Sequence, residues 1–140
     1  MKLVLIKLLT SHQNHQEEEE EEEGRRMLQE RNLKEYGSWA VITGATDGIG
    51  KAFAHQLAQK GLNLVLVSRN PNKLRTVSSE ILAEHPGIKI KAVPLDFSSN
   101  LSARAAQGVI AMAVEGLGVG LLINNVGITY PAAQVFPRGG

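Results

Sequence analysis

The feature that most constrains this chain is Val41-Ile-Thr-Gly44-Ala-Thr-Asp-Gly48-Ile-Gly50, a β-branched run that passes through glycines spaced G-x-x-x-G-x-G straight into a segment of helical period. A strand that turns this tightly into a helix needs backbone conformations closed to most residues. It also leaves a helix N-terminus bare of side chains, where N–H groups and the helix dipole favour a negative charge. This is the requirement for binding a pyrophosphate, because any Cβ at the turn would hold the phosphates off. Gly44 is expected to make the turn out of the strand, Gly48 to permit close approach, and Gly50 to let the helix pack against the sheet. Thr46, Asp47 and Ile49 complete the candidate cofactor-binding turn.

From Trp39 onward, short apolar runs alternate with longer helical segments, the pattern of βαβ units on a parallel sheet. Strands are expected at Trp39–Thr43, Asn63–Ser68, Ile88–Leu95 and Gly120–Asn124, and helices over about 49–60, 72–84 and 100–115. Val41-Ile42, Leu64–Val67 and Leu121–Ile123 are continuously apolar, which suits strands buried on both faces. Gly61 falls where a left-handed helix cap is wanted, and His85-Pro86-Gly87 stops the second helix. The fold class is therefore α/β: a Rossmann-type parallel sheet with flanking helices, its N-terminal half only, in the order β-α-β-α-β-α-β.

Residues 1–34 read differently. Residues 10–31 are almost wholly polar and include seven consecutive glutamates, Glu17–Glu23. Such a run repels itself and buries nothing, so a tail or frayed helix precedes a domain over 35–140. His12 and His15 lie near the glutamates without ligand spacing, and no metal site is assigned there. The start, Met1–Leu9, is interrupted by Lys7 and lacks a small-residue cleavage site, so it is not read as a signal peptide, and no stretch approaches the roughly 20 apolar residues of a membrane span. A net charge of +1 gives no field that would gather nucleic acid, and the absence of cysteine excludes disulfides and thiolate chemistry.

The cofactor can be read more finely at the end of the second strand. An acid there would bind the ribose 2′-OH of NAD, and an arginine the 2′-phosphate of NADP. The sequence is Val67-Ser68-Arg69-Asn70, with no acid between Gly61 and Lys73. Arg69 offers a planar fork of donors, aided by Ser68 and Lys73, so NADP(H) is the expected cofactor.

Thr43-Gly44-Ala-Thr-Asp-Gly48-Ile-Gly50 and Asn124-Asn125-Val126-Gly127 together resemble the short-chain dehydrogenase/reductases, whose motifs are T-G-x-x-x-G-x-G and N-N-x-G. The resemblance implies that Asp96 lies near the adenine, and that Asn124, Asn125 and Gly127 brace the sheet and reach the cofactor. More narrowly, Tyr36–Ala54, Gly61–Leu74 and Leu122–Pro131 resemble very-long-chain 3-oxoacyl-CoA reductases. These are NADPH-dependent enzymes of fatty-acid elongation in the endoplasmic reticulum membrane, with relatives that act on 17-oxo steroids. In that family a tyrosine acid and a lysine stand in Y-x-x-x-K. Here Tyr36 is followed at that spacing by Ala40 and Tyr130 by Gln134, so no catalytic residue is assigned. The chain reads as a cofactor-binding half that ends before the reacting groups, with an acyl-CoA substrate only in a full-length relative. A non-catalytic fragment that pairs with a full-length reductase, and a steroid-reducing lineage, remain open. A sheet of four strands would leave the fourth strand's outer edge unpaired, which favours association through that edge and marginal folding.

Overall fold

The computed structural model describes residues 4–7, 26, 33, 37–96 and 102–125. Its elements are β1 (Val4–Lys7), β2 (Trp39–Thr43), α1 (Gly48–Gln59), β3 (Asn63–Ser68), α2 (Pro71–Glu84), β4 (Ile90–Pro94), α3 (Ala103–Ala113) and β5 (Val119–Asn124). The sheet is five-stranded, in the order β1-β5-β2-β3-β4, and every pairing is parallel. The four expected strands and three helices are all present, with ends shifted by a few residues at most.

β1 corrects the sequence reading. Val4–Lys7 were assigned to the polar tail, yet they pair in register with β5, Val4 opposite Leu121 and Lys7 opposite Asn124. The outer edge of β5 is therefore covered, and the expectation of an open edge available for association does not hold there. The glutamate run and the two histidines beside it lie outside the described residues.

The strands alternate between two cores. Ala40, Ile42, Leu64, Leu66, Leu121 and Ile123 face α1 and α2, packing on Phe53, Leu57, Leu74, Val77 and Ile81. Val41, Val65, Val67, Val93 and Leu122 face the opposite side, against Ala106, Ile110 and Val114 of α3 and its C-terminus. This explains the unbroken apolar runs: with helices on both faces, consecutive residues are both buried, and each large aliphatic contributes on the order of 1.5–3 kcal/mol. The other edge, β4, is blunted by exposed Lys91 and Pro94, devices that discourage pairing with another chain. Lys91 Nζ also donates to the carbonyl oxygen of Ala113 at 2.6 Å, so a cation meets the last turn of α3 where its dipole is negative.

Helix ends follow local chemistry. Asn70 Oδ1 accepts from the amides of Asn72 and Lys73, and Pro71 occupies the first turn of α2, where its missing N–H costs nothing. Ser102 caps α3 through the amide of Ala105. At the end of α1, Leu62 N donates to Leu57 O at 3.1 Å and Gly61 N to Ala58 O at 2.9 Å, the paired bonds of a Schellman motif, with Gly61 at φ 85°. Among the described residues no helix is long and apolar enough to cross a membrane.

Because Gly61 holds a left-handed conformation that an L side chain resists, Gly61→Ala is expected to lower stability by about 1–2 kcal/mol in a urea unfolding titration.

Candidate dinucleotide-binding site

In open α/β sheets a ligand binds outside the carboxyl ends of the strands, at the point where the strand order reverses. Here that point is the seam between β2 and β5, since α1 carries the chain from β2 to β3 on one face and α3 carries it from β4 back across to β5 on the other. The glycine turn leaves β2 at this seam.

A set of hydrogen bonds closes the seam. Thr43 Oγ1, fully buried, donates to Ile123 O or Asn124 Oδ1, at 3.4 and 3.3 Å, and accepts from the amide of Asn125 at 2.9 Å. Asn125 Nδ2 donates to Gly44 O at 3.3 Å. The two asparagines thus hold the end of β5 against the first residues of the turn. Asn125 Oδ1 is buried and has no hydrogen-bond partner among the described residues, which marks an acceptor left for a further group at this place.

The three glycines have distinct duties. Gly44 (φ 64°) and Gly48 (φ 55°) both take left-handed conformations, and a Cβ built on Gly48 meets nothing within 4 Å. Gly48 therefore combines a backbone only glycine adopts readily with open space at the start of α1, as a phosphate approach requires. A Cβ on Gly50 would collide with the carbonyl oxygen of Gly44 and lie 2.9 Å from Asn125 Nδ2. What Gly50 permits is contact of α1 with the turn itself and with Asn125, a closer constraint than helix-on-sheet packing.

One side of the candidate site is built from the turn, the end of β3 and the start of α2. Thr46 and Ser68 are buried and share a hydrogen bond at 2.8 Å between their hydroxyls. Ser68 is thereby committed to the turn, and its remaining hydrogen-bonding capacity is what it could offer a ligand. Thr46 Oγ1 is also 3.3 Å from Asp47 Oδ2. Lys73 Nζ donates to both carboxylate oxygens of Asp47 at 3.3 Å, across an exposed ion pair. Sequence spacing gave no sign of these two links, which join residues 22 and 26 positions apart. Arg69 is exposed at the mouth of this group, Ile49 is partly exposed on the first turn of α1, and Asp96 is exposed just past β4. Gly127 lies outside the described residues, as do Tyr36 and Tyr130.

The family model for the short chain dehydrogenase matches residues 38–137. The chain belongs to the short-chain dehydrogenase family. Among curated relatives, a very-long-chain 3-oxoacyl-CoA reductase-like protein of Arabidopsis thaliana is 57% identical over 112 residues, 80% of this chain and 35% of the relative. The human inactive hydroxysteroid dehydrogenase-like protein 1 is 46% identical over 106 residues, 76% of this chain and 31% of the relative. Among solved structures, the L-sorbose reductase of Gluconobacter frateurii, complexed with NADPH and L-sorbose, superimposes with a TM-score of 0.56 at 29% identity, covering 65% of this chain and 34% of that one. The chain thus spans about a third of the length of the relatives it matches.

The glycines separate cleanly in a stability experiment. Gly50→Ala is expected to cost about 1–3 kcal/mol, because its neighbour is backbone that cannot step aside. Gly108→Ala, inside α3 with nothing within 4 Å of the new methyl, is expected to stabilise by about 0.5–1 kcal/mol in the same denaturant titration.

Proposed function

We propose that these residues form the NADPH-binding half of a short-chain carbonyl reductase, most similar in lineage to the 3-oxoacyl-CoA reductases of very-long-chain fatty-acid elongation. The observation that carries the cofactor reading is Arg69, exposed directly after β3, in a stretch from Gly61 to Lys73 that contains no acid. An acid at this end of the strand would favour a ribose hydroxyl, whereas a guanidinium favours a 2′-phosphate with two parallel charge-assisted bonds. The NADPH complex of the G. frateurii reductase supports the same choice.

The residues present fit the cofactor. Gly48 leaves open space at the first amides of α1 where the pyrophosphate would lie, Arg69 would meet the 2′-phosphate with Lys73 beside it tying down the turn, Asp96 would lie near the adenine, and Asn125 Oδ1, without a partner among the described residues, would be an acceptor toward the nicotinamide. When bound, the cofactor supplies a hydride to a substrate carbonyl. These 140 residues hold and orient it. They contain no tyrosine four positions before a lysine, so the proton that completes the reduction comes from groups outside this stretch. The acyl-CoA substrate class and an endoplasmic-reticulum setting follow from the lineage alone.

A second reading is favoured by the relative named an inactive hydroxysteroid dehydrogenase-like protein, which matches 76% of this chain: a module that binds the dinucleotide and regulates a full-length reductase without turnover. Co-purification with such a reductase is the expected sign of this second role.

The deciding experiment is calorimetric titration of NADPH and, separately, NADH into the 140-residue chain and its Arg69→Glu variant. NADPH is expected to bind tightest to the parent, and the variant to lose at least about tenfold, equivalent to about 1.4 kcal/mol, with NADH little changed. Equal affinity for the two dinucleotides in both proteins would overturn the assignment of Arg69.

A further inference from the structure

We propose that Lys73 is a positioning residue: it holds the Asp47 carboxylate against the start of α2, so that Asp47 does not cap α1 and the first amides of that helix stay open to a pyrophosphate. The ligand in this role comes from the dinucleotide reading above, whereas the hold on Asp47 does not depend on it.

Aspartate is among the strongest helix N-caps, its carboxylate ordinarily accepting from the second or third amide of the helix. Asp47 stands at the N-cap of α1 with the extended backbone of a capping residue, φ −140° and ψ 154°, yet its side chain makes no capping bond. The N-caps of the other two helices do cap: Asn70 accepts from Asn72 and Lys73, and Ser102 from Ala105. At α1 the first intrahelical bond runs from Lys51 N to Asp47 O at 3.4 Å, so the amides of Gly48, Ile49 and Gly50 lie ahead of it. Those are the donors that an anion at this helix would use.

The carboxylate is held elsewhere. Lys73 Nζ donates to both of its oxygens at 3.3 Å, and Thr46 Oγ1 donates to Oδ2. With the Thr46 proton so used, Ser68 Oγ donates to Thr46 in the 2.8 Å bond that the two hydroxyls share. Donors therefore run from Ser68 through Thr46 to Asp47, where they meet Lys73. Both backbones are fixed as well: Ala45 N donates to Val67 O at 3.3 Å, which sets the turn beside β3, and Asn70 Oδ1 holds the amide of Lys73 at 3.1 Å. Lys73 and Asp47 are exposed, and an isolated surface ion pair is a weak tether. Two fixed backbones and a second donor are what make this one hold.

Without Lys73 the carboxylate is free to swing onto the amides of Ile49 and Gly50, where the helix dipole favours it. It then fills the place of a phosphate and adds a repelling charge. The pyrophosphate is common to NADPH and NADH, so this role differs from a direct contact with the 2′-phosphate, which NADPH alone carries.

Calorimetric titration of NADPH and NADH into the 140-residue chain and its Lys73→Met variant, which keeps an unbranched stem, separates the two roles. Both dinucleotides are expected to weaken by a similar factor, roughly fivefold. Lys73→Met with Asp47→Ala, which has no side chain to cap, is expected to recover the parent affinities. Lys73→Met with Asp47→Asn, neutral but still able to cap, is expected not to recover them. Loss confined to NADPH, no loss at all, or a loss that Asp47→Ala repairs no better than Asp47→Asn overturns the proposal. The second measurement needs no ligand: amide hydrogen exchange at Ile49 and Gly50 is expected to slow several-fold in Lys73→Met and to return to the parent rate when Asp47→Ala is added. Unchanged exchange overturns the proposal whatever the titrations show. If the parent chain binds neither dinucleotide, the cofactor reading fails, and the exchange rates still decide whether Lys73 holds Asp47 off the helix.

Discussion

The structure around the site depends on one buried hydroxyl. Thr43 ends β2, yet its Oγ1 reaches across to the end of β5, lying near Asn124 Oδ1 and accepting the amide of Asn125. That arrangement brings Asn125 Nδ2 onto the Gly44 carbonyl. The same carbonyl is what a side chain at Gly50 would strike, so the turn is pressed between β5 on one side and the start of α1 on the other. A buried hydroxyl that both donates and accepts couples its two bonds, so losing it weakens the link between the end of β5 and the turn by more than one ordinary hydrogen bond, about 1 kcal/mol.

This explains why the fold was legible while part of the site was not. The strands Trp39–Thr43 and Asn63–Ser68 were placed to the residue because burial on both faces writes a continuous apolar run bounded by polar or glycine turns. Gly44 and Gly48 were legible because each answers to a local backbone demand, whereas the contact that requires Gly50, with the Gly44 carbonyl and Asn125, was read as helix-on-sheet packing. β1 was missed for a physical reason: Val4–Ile6 is too short to carry a period, and the strand it pairs with lies 117 positions away, Val4 opposite Leu121. Pairing over that separation leaves no local trace. The Thr46–Ser68 and Asp47–Lys73 links were hidden in the same way, since they exist only once α1, β3 and α2 have packed.

The two faces of the sheet carry unequal cover. Among the described residues α1 and α2 lie on one face and α3 packs on the other, with Val109 and Met112 of α3 left exposed. A parallel sheet needs both faces covered to bury its strands, and the single helix manages this for β2, β3 and β5 because Val41, Val65 and Leu122 lie directly under Ala106, Ile110 and Val114. β4 sits farther out, and it is exposed on both faces, with Lys91 on the α3 side and Ala92 and Pro94 on the α1/α2 side. The cofactor seam lies at the well-covered centre, so the part of the sheet with the densest packing is also the part that positions the turn.

Asp47 presents the remaining physical question, because it places a carboxylate at the N-cap of the helix that should receive a pyrophosphate. An acid there suits the helix dipole but opposes an anionic ligand. Lys73 resolves the conflict in part by donating to both carboxylate oxygens, which cancels the local charge and ties the first turn to the start of α2. Both groups are exposed, so the pair itself contributes at most about 1 kcal/mol. Its larger effect is on the charge left over: with Lys73 balanced by Asp47, Arg69 remains the cation at the mouth of the site without an ion-pair partner among the described residues. On the function proposed above, discrimination between the two dinucleotides would rest on this one guanidinium, whose geometry suits a phosphate, while the lysine ties the turn to the start of α2.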